Sequence, residues 1–396
     1  MWACYFVFAF LLLLLTLHSI SGTVLLRQRR QNAKITAYDE QYAKTLAALS
    51  AGAYATSPNE CIRRWLPNSN FWRVYALSNQ ACDVLEQTCA SYTIVSEQYR
   101  QLIIVFRGTK SSEQLFLEGW QSLKPGTNFH GIGQVNSYFN EALNILWPSV
   151  EQALKDQNMA NFPVTFTGHS LGGALAALAA AKCVALGLRT SNMVKLYTFG
   201  EPRVGNSAFA ARFDQIVPNS FRVIFRKDIV PHLPPCSTTA KQNPGNIGGF
   251  LDEENKPCEP NSNVIAYHHG TEIWYSNEMP KLESKTAPTE KQRYYECVGN
   301  PRDEDFSCSD SVDFEIPRYK SYIWDHRHYF GHRLPVFGKL GCDPSANDEV
   351  SVPEKKVTVG GNQAALPSAR GNDNEGKQSQ ASKFLKIAAG VVGMFG

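Results

Sequence analysis

The sequence has almost no excess of charge of either sign. It holds 39 lysines and arginines against 36 acidic residues, for a net charge of +3. A nucleic-acid-binding surface needs a concentration of basic residues, so this balance argues against a nucleic-acid partner. Cys-x-x-Cys pairs are also missing. His326, His328 and His332 could form a zinc site with His268 and His269, but their Tyr/Phe-rich segment supplies no glutamate partner, and we expect neither a metal nor a cofactor.

Long apolar runs are scarce as well. The run from Phe6 to Leu17 is shorter than the roughly 20 residues that cross a bilayer. Ser19 and Ser21 follow it as the small residues that signal peptidase needs. No lysine or arginine precedes the run, which departs from the usual signal pattern. We predict a signal peptide over 1–22 and a secreted protein, with a single N-terminal membrane anchor as the alternative.

Cysteine usage agrees with export. Of the ten cysteines, Cys4 would leave with the signal peptide, and Cys183 lies in an apolar helical stretch, where we expect a buried free thiol. The other eight form an even number, as a disulfide framework in an oxidising compartment requires. The sequence alone leaves many connectivities open.

Apolar strand patterns alternate with helical patterns along the chain. Short strands are expected at 101–106, 163–167, 195–199 and 221–226. Helices are expected at 37–55, 136–155 and 171–186. The aromatic segment 264–275 is expected to form a hairpin around Gly270. This order predicts an α/β fold with a mixed, mostly parallel central sheet and helices on both faces.

The chain also divides by composition. Residues 23–34 form a basic leader, and 35–342 hold the predicted folded domain. Residues 343–396 are polar with a short apolar end, and we predict a disordered tail. The apolar end weakly resembles a lipid-anchor signal, which is the alternative. Segments 234–260 and 278–317 are rich in proline, asparagine and charge, and have the composition of irregular insertions.

One motif in the sequence has the pattern of a catalytic site. Gly168-His169-Ser170-Leu171-Gly172 fits Gly-x-Ser-x-Gly, and it follows an apolar strand and precedes a long helix. In that context the motif forms a sharp turn that exposes the serine hydroxyl at the edge of a sheet, and the flanking glycines relieve its strain. The amide of Leu171 would open a helix N-terminus and point at developing negative charge. We therefore predict that Ser170 is a nucleophile.

A serine hydroxyl needs an imidazole base, and the imidazole needs a carboxylate to orient it. In this type of fold the order along the chain is serine, acid, histidine. Asp228 follows a predicted strand after Ser170, so it would lie on the same rim of the sheet. A solvated loop acid is the alternative interpretation of Asp228.

Five blocks in this order resemble the class 3 lipases, the fungal-type triacylglycerol lipase family, and particularly its secreted nematode members. The resemblance covers roughly residues 35–342. The blocks are Ile104–Thr109, Gly168–Ala174, Thr198–Asn206, Asp228–Pro235, and His326 with Tyr329-Phe330-Gly331. The resemblance implies an α/β-hydrolase fold.

The resemblance also implies roles for individual residues. Ser170 would be the nucleophile, His326 the general base and then acid, and Asp228 the orienting carboxylate. Thr109 and Leu171 would supply the backbone amides of an oxyanion hole. For the cysteines, the resemblance favours Cys61–Cys342 and Cys82–Cys89, and spacing suggests Cys236–Cys258 and Cys297–Cys308.

The function that the resemblance implies is hydrolysis of lipid esters, first of all triacylglycerol, at a lipid–water interface. Ser111 to Lys124 places Phe116, Trp120 and Leu123 on one helical face, as a small lid would, although a fixed surface helix has the same pattern. A phospholipase and an aryl-ester (feruloyl-type) esterase are alternatives, because all share the oxyanion chemistry. A lipid-binding protein without catalysis is a further alternative.

Overall fold

The structure is a computed structural model, which describes residues 36–82, 88–109, 126–234, 236, 258, 266–298 and 303–349. The predicted signal peptide, the basic leader, the candidate lid at 111–124 and residues 350–396 lie outside these ranges, and the expectations about them remain predictions. Among the described residues, no helix combines the length and apolarity that a membrane crossing needs.

The strands divide among three sheets. In chain order they are β1 (Arg73–Ala81), β2 (Thr88–Ser96), β3 (Gln101–Phe106), β4 (Thr127–Asn128), β5 (Gln134–Val135), β6 (Val164–His169), β7 (Val194–Phe199), β8 (Gly205–Asn206), β9 (Ser220–Phe225), β10 (Ala266–Tyr267), β11 (Thr271–Tyr275), β12 (Tyr295–Cys297), β13 (His328–Tyr329) and β14 (His332–Arg333). The largest sheet has eight strands in the order β1-β2-β3-β6-β7-β9-β11-β12, and a four-stranded sheet has the order β10-β8-β5-β4. β13 and β14 form a separate pair.

The centre of the large sheet is parallel. Strands β3, β6, β7, β9 and β11 run parallel to one another, and antiparallel strands flank them, with β1 and β2 at one edge and β12 at the other. Parallel strands bring their carboxyl ends to one rim, and this is where open α/β sheets bind ligands. The predicted mixed, mostly parallel sheet is therefore confirmed.

Helices cover both faces of this sheet. They are α1 (Glu40–Gly52), α2 (Asn59–Trp65), α3 (Ser137–Lys155), α4 (Leu171–Ala185), α5 (Ser207–Ile216), α6 (Tyr319–Arg327) and α7 (Leu334–Lys339). Side chains alternate across β3, so Leu102 and Ile104 pack in the core that α3 and α4 cover, while Ile103 and Val105 pack in the core that α1 and α7 cover. Two apolar faces explain why every residue of β3 after Gln101 is apolar.

The expected hairpin at 264–275 is wrong. β10 pairs with β8 in the smaller sheet, whereas β11 pairs in parallel with β9 in the large one. Gly270 separates them with a φ of +72°, and its amide donates to Asp214 at 2.7 Å. The chain therefore passes from one sheet to another here, because β11 finds a buried parallel neighbour instead of a hairpin partner.

The four predicted disulfides are present, and Cys183 is a buried free thiol. Cys61–Cys342 joins α2 to the residues that follow α7 across a separation of 281 residues. The folded part does not end at Cys342, however. Asp343 pairs with Arg64 at 3.0 Å and Asp348 with His332 at 2.8 Å, so order extends at least to Glu349 instead of giving way to a tail at 343.

Candidate active site

Ser170 occupies a strained turn between β6 and α4. Its backbone has φ 63° and ψ −132°, a conformation that residues with a side chain rarely adopt. The Ser170 amide donates to the carbonyl of Phe199 at 2.9 Å, which fixes the turn against the end of β7. A Cβ on Gly168 would overlap the backbone of Gly172, and one on Gly172 would overlap the backbone of Phe106. The two motif glycines are therefore required by close approach of the main chain.

Asp228 lies just past the end of β9 and is fully buried. Its carboxylate accepts hydrogen bonds from three groups: His326 Nδ1 at 2.9 Å, the Tyr329 hydroxyl at 2.5 Å and the Val230 amide at 2.9 Å. These three donors hold the buried carboxylate in one orientation. It also fixes the His326 tautomer, because a carboxylate only accepts and Nδ1 must carry the proton.

His326 reaches this rim from α6. Its ring is mostly buried and stacks on the ring of His169, with centroids 4.7 Å apart. Gly200, directly after β7, has a φ of +59°, and a Cβ there would lie 2.6 Å from Asp228 Oδ2 and 2.8 Å from His326 Nδ1. Glycine at this position therefore makes room for the His–Asp pair. Since Phe199 next to it binds the Ser170 amide, the three predicted triad residues gather at one place.

The candidate oxyanion segment follows β3. A Cβ on Gly108 would lie 3.1 Å from the Cβ of Ser170, so this segment runs directly beside the serine. Thr109 comes next and is half-buried. Leu171 is the first residue of α4, where backbone N–H groups have no acceptor within the helix and favour negative charge. Leu171 therefore directly follows Ser170, and Thr109 directly follows the glycine that packs against Ser170.

The remaining histidines do not converge on one point. His328 contacts the Trp324 carbonyl and Glu349, and His332 lies between Asp348 and Glu283. The ring of His268 contacts the Pro231 carbonyl, and the ring of His269 contacts Glu201. Each of these four rings thus has partners of its own, and Ser170 is not among those contacts.

Asp325 precedes His326 in the chain but does not hold its ring. Its carboxylate accepts from the Lys227 amide at 3.3 Å and lies 3.9 Å from Arg226. Burial raises the pKa of Asp325 to about 7. The partner of His326 is Asp228, as the position of Asp228 at the rim predicts.

Sequence reasoning missed three side chains at this site. Tyr329 lies in the histidine block, and its spacing from His326 was the available signal. His169 lies inside the serine motif at an unrestricted position. Tyr54 follows α1, far from every motif, and no pattern in the sequence points to it. The Tyr54 hydroxyl nevertheless lies 2.8 Å from Nδ1 of His169.

The chain is similar to known lipases in sequence and in structure. The family model described as lipase (class 3) matches residues 103–238. A lipase of Caenorhabditis elegans is 42% identical over 338 residues, which cover 85% of this chain and 90% of that protein. A lipase of Rhizopus niveus is 30% identical over 311 residues, covering 75% of this chain and 65% of that protein.

A solved lipase structure from Rhizopus microsporus var. chinensis superposes with a TM-score of 0.54 at 23% identity, covering 75% of this chain and 89% of that one. At this identity the similarity of the two structures is evidence for the fold alone, and it agrees with the sheet and helices described above. Membership rests on the nematode relative, since the alignment runs through nearly all of that protein. The chain belongs to the class 3 lipase family.

Proposed function

We propose that this protein is a secreted serine hydrolase of lipid esters, with triacylglycerol as its principal substrate. The observation that carries the proposal is the buried His326–Asp228 pair, which adjoins a serine in a strained turn. Family membership supports the substrate class, and the four disulfides support secretion.

The proposed reaction passes through an acyl-enzyme. The Ser170 hydroxyl attacks the ester carbonyl carbon while His326 Nε2 takes its proton, and Asp228 stabilises the resulting imidazolium. The amides of Thr109 and Leu171 hold the oxyanion of the tetrahedral intermediate. His326 then gives its proton to the departing alcohol, and a water molecule, activated by the same ring, releases the fatty acid.

The electrostatics favour this use of the pair. Asp228 is buried, so water screens its charge weakly and its attraction for an imidazolium is strong. Its three donors hold the carboxylate in place before the reaction begins. An imidazole that is oriented in advance does not need to reorganise in the transition state.

Two measurements test the proposal. Ser170→Ala should abolish hydrolysis of p-nitrophenyl butyrate, and a fluorophosphonate probe should label the wild-type protein but not the variant. Ser191→Ala, in the short turn before β7, is the control and should behave as wild type. Labelling and turnover that persist in folded Ser170→Ala would refute the assignment. Absence of both in the wild type would favour a lipid-binding protein.

The substrate class needs its own assay. We expect emulsified triacylglycerol to be hydrolysed faster than phosphatidylcholine or a feruloyl ester at equal enzyme concentration. A faster rate on phosphatidylcholine or on the feruloyl ester would overturn the triacylglycerol assignment and leave the serine mechanism intact.

A further inference from the structure

His169 is a buried histidine that the proposed mechanism does not use. It directly precedes Ser170, and its side chain is 2% exposed. Nδ1 lies 2.8 Å from the Tyr54 hydroxyl, and Nε2 lies 2.8 Å from the main-chain carbonyl oxygen of His326. The residue before the nucleophile is therefore bonded to the backbone of the general base, 157 residues away in the chain.

The protons on this ring can be assigned. The His326 carbonyl can only accept, so Nε2 of His169 carries a hydrogen and donates it. Burial, and then the charge of the adjacent His326, lower the pKa of His169 well below its usual value, so the ring is neutral. Nδ1 consequently has a lone pair and accepts from Tyr54. Burial raises the pKa of Tyr54, which keeps its proton for that bond.

Tyr54 also reaches the candidate oxyanion segment. The backbone amide of Gly108 interacts with the same Tyr54 hydroxyl oxygen, and a Cβ on Gly108 would overlap that oxygen. A continuous chain of polar contacts thus runs from Gly108 through Tyr54 and His169 to the main chain of His326. It joins the segment that would hold the oxyanion to the residue that would move the proton.

The neutral state of His169 has a second consequence, because its ring stacks on that of His326 at a centroid distance of 4.7 Å. His326 becomes an imidazolium during the proposed reaction. A second positive charge at this distance, in a buried site, would oppose that step strongly. A neutral His169 with a fixed tautomer does not oppose the formation of the His326 imidazolium.

We propose that Tyr54 and His169 are positioning residues: the Tyr54 hydroxyl holds His169 as the neutral Nε2-protonated tautomer, and this tautomer holds the backbone of His326 against the turn that carries Ser170. The inference rests on the proposed function. Neither side chain touches the substrate, and both act through His326 and the oxyanion segment.

Tyr54→Phe removes one oxygen atom. Nδ1 of His169 then loses its donor, and the ring can move its proton from Nε2 to Nδ1, which would leave a lone pair facing the His326 carbonyl. We expect kcat to fall about tenfold, the loss that corresponds to one buried hydrogen bond, with KM nearly unchanged. Tyr92→Phe is the matched control, because Tyr92 is also buried and donates to the Leu49 carbonyl away from the site.

A double-mutant cycle separates tautomer control from general packing. In His169→Gln the amide nitrogen can donate to His326 and the amide oxygen can accept from Tyr54, but no tautomer exists. We expect Tyr54→Phe to lower kcat about tenfold in the wild type and less than about threefold in the His169→Gln background. Equal losses in both backgrounds would overturn the tautomer argument.

A direct measurement covers the case in which a variant does not fold. In ¹⁵N spectra of histidine-labelled wild-type protein, the signal that disappears in His169→Gln should belong to a ring that stays neutral and Nε2-protonated from pH 5 to 8. If the His169 ring is instead protonated at Nδ1, or titrates in this range, the proposal is refuted. A wild-type protein without turnover or probe labelling would instead refute the proposed function.

Discussion

Replacing Asp325 with asparagine tests how the folded protein accommodates a buried carboxyl group beside His326. The side chain is 10% exposed, and its nearest charged neighbour, Arg226 at 3.9 Å, is itself 41% exposed. Desolvation therefore outweighs attraction, and burial raises the pKa of Asp325 from 3.8 to about 7. Asparagine has nearly the same shape and no charge to desolvate.

The raised pKa of Asp325 determines how the stability of the protein depends on pH. Because the pKa is higher in the folded state, the stability that Asp325 contributes is fully present below pH 3.8 and is lost as the pH rises to about 7. At about 1.4 kcal/mol per pH unit, the difference corresponds to roughly 4 kcal/mol. Asp325→Asn should resemble the wild type near pH 4 and exceed its free energy of unfolding by up to about 4 kcal/mol at pH 8.

Urea unfolding at pH 4, 5, 6, 7 and 8, with the disulfides oxidised, measures this difference. Asp343→Asn is the control, since Asp343 accepts hydrogen bonds from Ser345, and these lower its pKa, so its replacement should give no gain at pH 8. A stability difference between Asp325→Asn and wild type that is the same at pH 5 and pH 8 would refute the reasoning. Turnover should change little, because Asp228 and not Asp325 binds the His326 ring.

Three further predictions concern histidines and cysteines. His326→Ala should lower kcat by at least about a thousandfold and His332→Ala by less than about tenfold; the reverse order would mean that another ring is the base. Cys183 should resist iodoacetamide until the protein is unfolded, since burial raises the pKa of its thiol to about 12; labelling of the native protein would contradict this. Replacing Cys61 and Cys342 together by serine should lower the free energy of unfolding by up to about 5 kcal/mol, and an unchanged urea midpoint would refute it.

The sequence predicts the parts of this site that local context defines. The strand before Ser170 and the helix after it identify the turn, and the end of a strand identifies the position of Asp228. Contacts between segments that are distant in the chain leave no such local pattern. The bond between Tyr54 and His169 joins residues 115 positions apart, and no pattern near Tyr54 in the chain points to its partner. The hairpin expected at Gly270 failed for the same reason, since the partner of β11 is β9 and not the adjacent segment.

The positions of His326 and Cys342 have a consequence for biosynthesis. A chain that has been synthesised through Asp228 already contains the serine turn and the carboxylate that binds His326, yet it lacks His326 itself. His326 arrives almost one hundred residues later, and Cys342 then closes a covalent link to Cys61, 281 residues back. The proposed proton acceptor is therefore added only with α6, near the end of the described residues. Under the proposed mechanism, an unfinished chain therefore lacks the group that would activate Ser170.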